Sequence, residues 1–161
     1  MAHRMQAART DEELAANIRV FVPRVLPRLP GALYAHNNSR NLLTLIAGWG
    51  GLEASLESFA PDQRWAVRRG QSHCVTAPGC DIVCAHITED EIYHCEPLLA
   101  GGEVIGVLYL SGLVGAESRF RLTALTENIA SALVNHRLQR SLREQTITGL
   151  TMSRCFAATF R

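Results

Sequence analysis

Residues 92–110 read IYHCEPLLAGGEVIGVLYL and form the stretch that decides the fold. Two apolar runs, Ile92–Leu99 and Val104–Leu110, are separated by a Gly-Gly-Glu segment. Apolar runs of strand length on either side of a glycine-rich turn are typical of a β-hairpin. The sequence therefore predicts two neighbouring antiparallel strands here.

A second hairpin is predicted nearer the N-terminus. Ala32–Ala35 and Leu42–Ala47 are short apolar runs, and the polar stretch between them, residues 36–41, is rich in asparagine and other turn-forming residues. Glycines at positions 48, 50 and 51 end the second run. We expect both hairpins to contribute strands to one antiparallel sheet.

Helical periodicity occupies both ends of the chain. Thr10 is a predicted N-cap with Glu13 three residues later, and apolar residues then recur at helical spacing as far as Leu29. Pro23 lies inside this pattern, so we expect a kink or a restart there. A long helix is predicted over Phe120–Gln145, and Pro61 is expected to begin a short one. Two long helices that must bury apolar faces on an antiparallel sheet predict an α+β fold.

Composition narrows the range of functions. The chain has 161 residues, 47% of them hydrophobic and 19% charged, with a formal net charge of +1. These values are typical of one globular domain and give no reason to expect nucleic acid as a partner. The sequence shows no membrane-length apolar run and no secretion signal, so we expect a cytoplasmic protein without membrane contact. Its five cysteines are then expected to be thiols rather than disulfides.

Four segments together resemble a GAF domain: WAVRRGQSH (65–73), CAH (84–86), YHCEPL (93–98) and GEVIGVLYL (102–110). The last two are similar to the general GAF pattern. The first two resemble the bacterial GAF domains that precede diguanylate cyclase or histidine kinase output domains. This resemblance implies a GAF/PAS-like three-layer sandwich, a central antiparallel β-sheet flanked by helices, over residues 11–145. Residues 1–10 are expected to be a disordered N-terminal segment.

The resemblance also implies a role. It predicts a non-catalytic sensory module of a two-component or diguanylate cyclase pathway, which binds a small ligand or senses redox state and regulates an output domain. Residues 146–161 are expected to be a linker or the start of an output domain. They contain a Thr-Gly-Leu run similar to the junction into a cyclase, but the Asp-Pro-Leu that usually precedes it is missing. Neither ligand nor cofactor is identified by the sequence.

The ligand pocket is predicted on the sheet face away from the two long helices, under a roof formed by the Trp65–Asp90 region. Its predicted lining residues are Trp65, Arg68, His73, Cys84, His86, Tyr93 and Cys95. Cys84 and His86 face the same side if their segment is extended, so a thiol and an imidazole could bind a metal together. The alternative, which we favour, is a loop whose polar side chains hydrogen-bond to its own backbone.

The long C-terminal helix carries two apolar stripes. One contains Leu125, Ile129 and Leu133, and the other contains Ala130, Val134, Leu138 and Leu142 on nearly the opposite face. A sheet can cover one stripe. The sequence therefore predicts a homodimer in which Val134, Leu138 and Leu142 contact a second copy. The alternative is that the N-terminal helix covers this stripe within the same chain.

Two other functions remain open. GAF proteins of this length include the free methionine-(R)-sulfoxide reductases, which are thiol enzymes, but their Gly-x-Cys-Gly element is absent and Leu108–Ser111 stands where an aspartate is expected. A purely structural dimerisation domain with a filled pocket is the other alternative.

Overall fold

The computed structural model describes residues 5–52, 58–77 and 91–159, with side chains as far as residue 144. The elements in chain order are α1 Asp11–Val25, β1 Gly31–His36, β2 Leu43–Trp49, β3 Ser58–Phe59, a 3₁₀ helix Pro61–Gln63, α2 Trp65–Arg69, β4 His73–Val75, β5 Tyr93–Ala100, β6 Glu103–Ser111 and α3 Ala116–Thr159. No described helix is both long and apolar enough to cross a lipid bilayer.

The strands form one antiparallel sheet in the order β3-β2-β1-β6-β5-β4. Both predicted hairpins are confirmed as β1–β2 and β5–β6, and β1 joins them by pairing with β6. Gly106 lies opposite Ala35 in that pairing, and a Cβ atom there would lie 2.4 Å from the Tyr34 carbonyl oxygen. Glycine at this position therefore allows the two central strands to approach each other.

Both long helices pack on one face of the sheet, which we call the helix side. Its core is aliphatic, and Ile18, Leu108, Leu125 and Ile129 are fully buried in it. Burial of these side chains away from water is the main contribution to the stability of the fold, at about 1.5–3 kcal/mol for each fully buried aliphatic side chain. The 3₁₀ helix and α2 cover the opposite face, so the predicted three-layer α+β sandwich is confirmed.

Helix α1 begins as its sequence predicts. The Glu13 backbone N–H donates to Thr10 Oγ1 at 3.1 Å, and the Glu13 carboxylate accepts from the Arg9 backbone N–H at 2.8 Å. Pro23 lies inside the helix, which does not restart after it but ends two residues later. The chain then turns into β1.

The N-terminal segment and α3 differ from expectation. Met5 and Ala8, which the sequence assigns to a disordered segment, are buried in the helix-side core. Helix α3 extends well beyond the predicted Gln145, through residues expected to form a linker. Ala130 is also a buried member of this core, so the second stripe is not wholly available to a partner.

Candidate functional site

The sheet face opposite the long helices carries aromatic and polar side chains, and we call it the aromatic face. Its buried residues are Ala32, Tyr34, Leu43, Phe59, Ala66, Val75, Tyr93, Cys95, Val107 and Tyr109. They come from all six strands and from α2, which lies over this face of the sheet. Alternation along the strands explains the separation, because neighbouring residues of a strand point to opposite faces.

Arg64 lies at the centre of this face. It follows the 3₁₀ helix in an extended conformation (φ −118°, ψ 124°), and its backbone carbonyl accepts the Arg68 N–H of α2 at 3.1 Å. This geometry directs the side chain toward the sheet, where Arg64 is 2% exposed. The 3₁₀ helix that Pro61 begins therefore positions a cation between the sheet and the short helices that cover this face.

Three rings surround the Arg64 guanidinium. Its central carbon lies 4.6 Å from the Phe59 ring centre, 4.9 Å from that of Tyr109 and 5.1 Å from that of Tyr34. Arg64 Nη1 donates to Cys95 Sγ at 3.1 Å. Cation–π contacts of this kind contribute on the order of 2 kcal/mol each when they are desolvated.

The guanidinium is nevertheless incompletely satisfied. Arg64 Nε is buried without a hydrogen-bond partner, and within the described ranges Arg64 forms no ion pair with a carboxylate. Burying a charge without a counterion is costly, and thiol sulfur is a weak acceptor. An acceptor at this position would therefore be bound strongly.

A row of rings leads from the surface to this centre. The Trp65 and His73 ring centres are 6.5 Å apart, those of His73 and Tyr93 are 6.0 Å apart, and those of Tyr93 and Tyr109 are 5.7 Å apart. The β4–β5 pairing sets the distance between His73 and Tyr93, because it places Val75 opposite Tyr93 and His73 opposite Cys95. Three of the predicted pocket residues thus lie in one row on the predicted face.

The other predicted residues have different positions. Arg68 is exposed, with its guanidinium 4.6 Å from the Trp65 ring centre, so it covers the outer end of the row. Cys95 is fully buried on the aromatic face beside Arg64. Cys84 and His86 lie outside the described residues, as does the second half of the predicted roof, residues 78–90. The described residues contain no group of three or more side chains arranged to hold a metal ion.

Tyr109 provides a second polar group next to Arg64. Its hydroxyl donates to Glu91 Oε2 at 3.2 Å. Burial raises the pKa of the Tyr109 hydroxyl well above its ordinary value, and the Glu91 carboxylate raises it further. The hydroxyl therefore remains protonated at any physiological pH, and Tyr109 is a fixed hydrogen-bond donor beside a fixed cation.

Sequence reasoning missed Arg64. The predicted lining included its neighbour Arg68 instead, and the structure leaves Arg68 exposed. The available signal was the position of Arg64 directly after a helix begun by Pro61 and directly before a second one. That signal places the residue at a junction, but it does not say that the junction faces a sheet.

The residues predicted for a dimer interface lie along the second half of α3. Val134 is partly buried and packs against the helix-side core. Leu138 is 57% exposed and Leu142 is 62% exposed. The start of α1 reaches α3 nearby, where Asp11 Oδ1 is 2.5 Å from His136 Nε2.

Neither a family model nor a curated protein matches the sequence. Solved structures do match the fold. The chain is similar to the GAF domain of a phosphoenolpyruvate-protein phosphotransferase from Coxiella burnetii, with a TM-score of 0.69 and 16% identity over 86% of this chain and 91% of that one. It is also similar to a segment of a methyl-accepting chemotaxis protein, with a TM-score of 0.70 and 14% identity over 86% and 97% of the two chains.

A third similar structure is an enzyme. The free methionine-R-sulfoxide reductase of Neisseria meningitidis, solved with its substrate, has a TM-score of 0.66 and 16% identity over 86% of each chain. At these identities the likeness concerns the fold and not the activity. The strand order, the paired helices on one face and these neighbours together show that this chain has the GAF fold.

Proposed function

We propose that this chain is a non-catalytic GAF-type sensory domain whose aromatic face binds a small ligand carrying a carboxylate or another anionic acceptor. Arg64 is the observation that carries this proposal. Its guanidinium is buried among three rings, its Nε has no partner, and the described residues offer it no carboxylate. An anionic ligand would supply the missing acceptor through charge-assisted hydrogen bonds.

The surrounding residues suit such a ligand. The Tyr109 ring packs on the guanidinium, and its hydroxyl stays protonated, so Tyr109 does not compete with the ligand as an anion. The row from Trp65 through His73 to Tyr93 offers faces on which a planar apolar group can stack. A small number of fixed polar groups in an aromatic surround is the usual composition of a ligand site. Cys84 and His86 remain part of this proposal as residues of its roof.

Ligand binding can be tested by thermal denaturation of the protein with a panel of small carboxylates and with phosphate. We expect at least one carboxylate to raise the melting temperature. Arg64→Met should weaken its binding about tenfold or more, because a hydrogen bond to a charged group contributes about 1.5–3 kcal/mol. Arg69→Met is the matched control, since Arg69 is exposed on the neighbouring helix.

Two results would contradict the proposal. One is equal binding by the Arg64→Met and Arg69→Met variants. The other is a site that binds no ligand. In that case native mass spectrometry with elemental analysis finds no bound molecule, and no member of the panel shifts the melting temperature. That second result would favour a purely structural dimerisation domain.

Helix α3 is the proposed output of the sensor. Its 44 residues correspond to a length of about 66 Å, which exceeds the length needed to cover the sheet. We propose that the exposed part pairs with a second copy and passes ligand-induced shifts to an output domain, a diguanylate cyclase or a histidine kinase. The cytoplasmic location predicted from the sequence belongs to the same proposal.

A thiol enzyme is the alternative, because similar structures include methionine-R-sulfoxide reductases. The two described cysteines lie on different faces of the sheet. Cys95 faces Arg64, whereas Cys74 pairs with His94 on the helix side. We expect no turnover of free methionine-(R)-sulfoxide with thioredoxin as reductant. Turnover that is lost in a Cys84→Ser variant would replace the sensor proposal with the enzyme.

A further inference from the structure

Cys74, His94 and Glu96 form a linked cluster at the β4 edge of the sheet, on the helix side. Cys74 Sγ lies 2.6 Å from His94 Nδ1, and His94 Nε2 lies 2.8 Å from Glu96 Oε2. The same carboxylate oxygen accepts a hydrogen bond from Ser72 Oγ at 2.7 Å. This order of thiol, imidazole and carboxylate is the one that activates a nucleophile.

The sheet itself builds the cluster. Cys74 and His94 are directly opposite each other in the β4–β5 pairing, and Glu96 follows His94 by two residues on the same face of β5. His94 is 7% exposed, which holds its ring between the other two groups. Cys74 is partly exposed because β4 is the outermost strand.

Each member has a distinct role. The Glu96 carboxylate accepts from Nε2–H and so fixes the tautomer in which Nδ1 carries the lone pair. Burial raises the pKa of Glu96, but hydrogen bonds with His94 and Ser72 and the charge of Arg119 outweigh it and lower the pKa overall. Glu96 is thus ionised at neutral pH, and Nδ1 can take the thiol proton of Cys74.

A cleft lies beside the Glu96 end of this cluster. The cleft, of about 440 Å³, lies between β5 and α3, and Ser72, Glu96, Thr126 and Glu127 are among its lining residues. Arg119 is the neighbouring cation on α3. Two carboxylates on the cleft disfavour anionic reagents, whereas a small neutral oxidant is not repelled.

We propose that Cys74, His94 and Glu96 form a reactive-thiol site at which hydrogen peroxide oxidises Cys74 to sulfenic acid. His94 Nδ1 takes the thiol proton, and the thiolate sulfur attacks one peroxide oxygen. The S–O bond forms as the O–O bond breaks, and the leaving hydroxide takes the proton from His94 to give water. The sulfur loses two electrons and the peroxide gains them. This site lies on the opposite face from Arg64 and does not depend on a ligand there.

The test uses the full chain treated with hydrogen peroxide in the presence of dimedone, which traps sulfenic acid. The sequence has no lysine and no arginine between Arg69 and Arg119, so trypsin releases residues 70–119 with Cys74, Cys80, Cys84 and Cys95 in one peptide. Fragmentation then ranks these four cysteines under identical conditions. We expect Cys74 to be labelled faster than buried Cys95 and faster than the same thiol in the unfolded peptide.

Two variants separate an activated thiol from one that is merely accessible. Glu96→Gln should slow the labelling of Cys74 about tenfold or more, as loss of an orienting partner does. Glu127→Gln removes a carboxylate from the same cleft but is not hydrogen-bonded to His94, and it should change the rate less than twofold. Circular dichroism checks that both variants fold.

A pH profile provides an independent readout. In the wild-type protein, alkylation of Cys74 by iodoacetamide should persist well below the ordinary thiol pKa of about 8.5. Glu96→Gln should shift the profile toward that value. Equal rates for Glu96→Gln and Glu127→Gln, or a Cys74 rate no higher than in the unfolded peptide, would overturn the proposal.

Discussion

The two faces of the sheet bury different kinds of side chain, and the helix side buries more of them. On the helix side, aliphatic side chains from α1 and α3 fill the space, and the polar groups at Cys74, His94 and Glu96 are confined to the edge. On the aromatic face, rings surround the Arg64 guanidinium at the centre. A charge at the centre of a core costs free energy, while a charge at the edge stays partly hydrated.

This difference separates the part of the molecule that stabilises the fold from the part that is arranged to bind. The aliphatic side chains pack against one another within the chain, and burial of their surface stabilises the fold. The aromatic face retains a donor without an acceptor. We therefore expect substitutions on the helix side to change stability and substitutions around Arg64 to change binding.

The largest effect is expected from Leu125→Ala, which opens a cavity in the helix-side core. Leu125 is fully buried, and such substitutions lower the free energy of unfolding by about 2–5 kcal/mol. Urea denaturation measures the change. Val20→Ala is the control, because Val20 is 49% exposed and its truncation should cost less than about 0.5 kcal/mol. Equal losses in the two variants would show that the helix-side core is not the main stabilising element.

The next effect concerns the part of α3 that extends past the helix-side core. Full burial of a leucine contributes about 1.5–3 kcal/mol, and Leu138 and Leu142 are each more than half exposed in one chain. We expect the wild type to be a dimer, and the Leu138→Glu/Leu142→Glu variant to be a folded monomer by light scattering. Val134 is left unchanged, because it packs on the chain's own core.

The control for this variant is Leu113→Glu, the same kind of substitution with one added negative charge, at a half-exposed position ahead of the helix. This control should leave the molecular mass measured by light scattering at the wild-type value. A wild type that is already monomeric at micromolar concentration would end the dimer hypothesis.

A smaller effect on stability is expected at Arg64. An apolar side chain of similar size at position 64 would lose the cation–π contacts of the guanidinium but would also avoid the cost of burying its charge, and these two contributions oppose each other. Arg64→Met should therefore change the free energy of unfolding by less than about 1.5 kcal/mol in either direction, although we expect it to weaken ligand binding about tenfold or more. A much larger loss in urea denaturation would mean that the guanidinium stabilises the fold, and the contrast between the two faces would fail.

The smallest effect is a pH dependence at the edge of the helix side. The pKa of Glu96 is lower in the folded protein than its ordinary value of 4.5. The unfolded chain then binds more protons in this range, so the stabilisation by Glu96 is complete above about pH 4.5 and is lost as pH falls through the folded pKa. Glu96→Gln should be less stable than wild type at pH 7, and the difference should shrink toward pH 3. A constant difference would contradict this assignment.

Much of the fold followed from local signals. A glycine turn predicted the β5–β6 hairpin and the asparagine-rich stretch 36–41 predicted the β1–β2 hairpin. Thr10 and Glu13 predicted the start of α1, and the 3.6-residue period predicted α3. The short strands β3 and β4 were missed. Each has two or three residues, too few for a period, and each exists because it pairs with a longer neighbour.

The candidate site followed from the sequence only in part. Trp65, His73 and Tyr93 were predicted on the correct face, because the GAF resemblance supplied them and strand alternation sets their side. Arg64 was not predicted, since its burial depends on rings contributed by β1, β3 and β6. Ala130 was assigned to a partner-facing stripe, but helical spacing gives only the direction of a side chain and not what lies beside it.

The sequence by itself determined the longer helices and strands, their order and the antiparallel α+β class, because caps, turns and periodicity act between residues that are near in the chain. Tertiary structure alone decided which charges lie inside. Arg64 meets Cys95 across 31 positions, and Cys74 meets His94 across 20. Such contacts depend on strand register and on the path of loops between strands, and no local pattern encodes either.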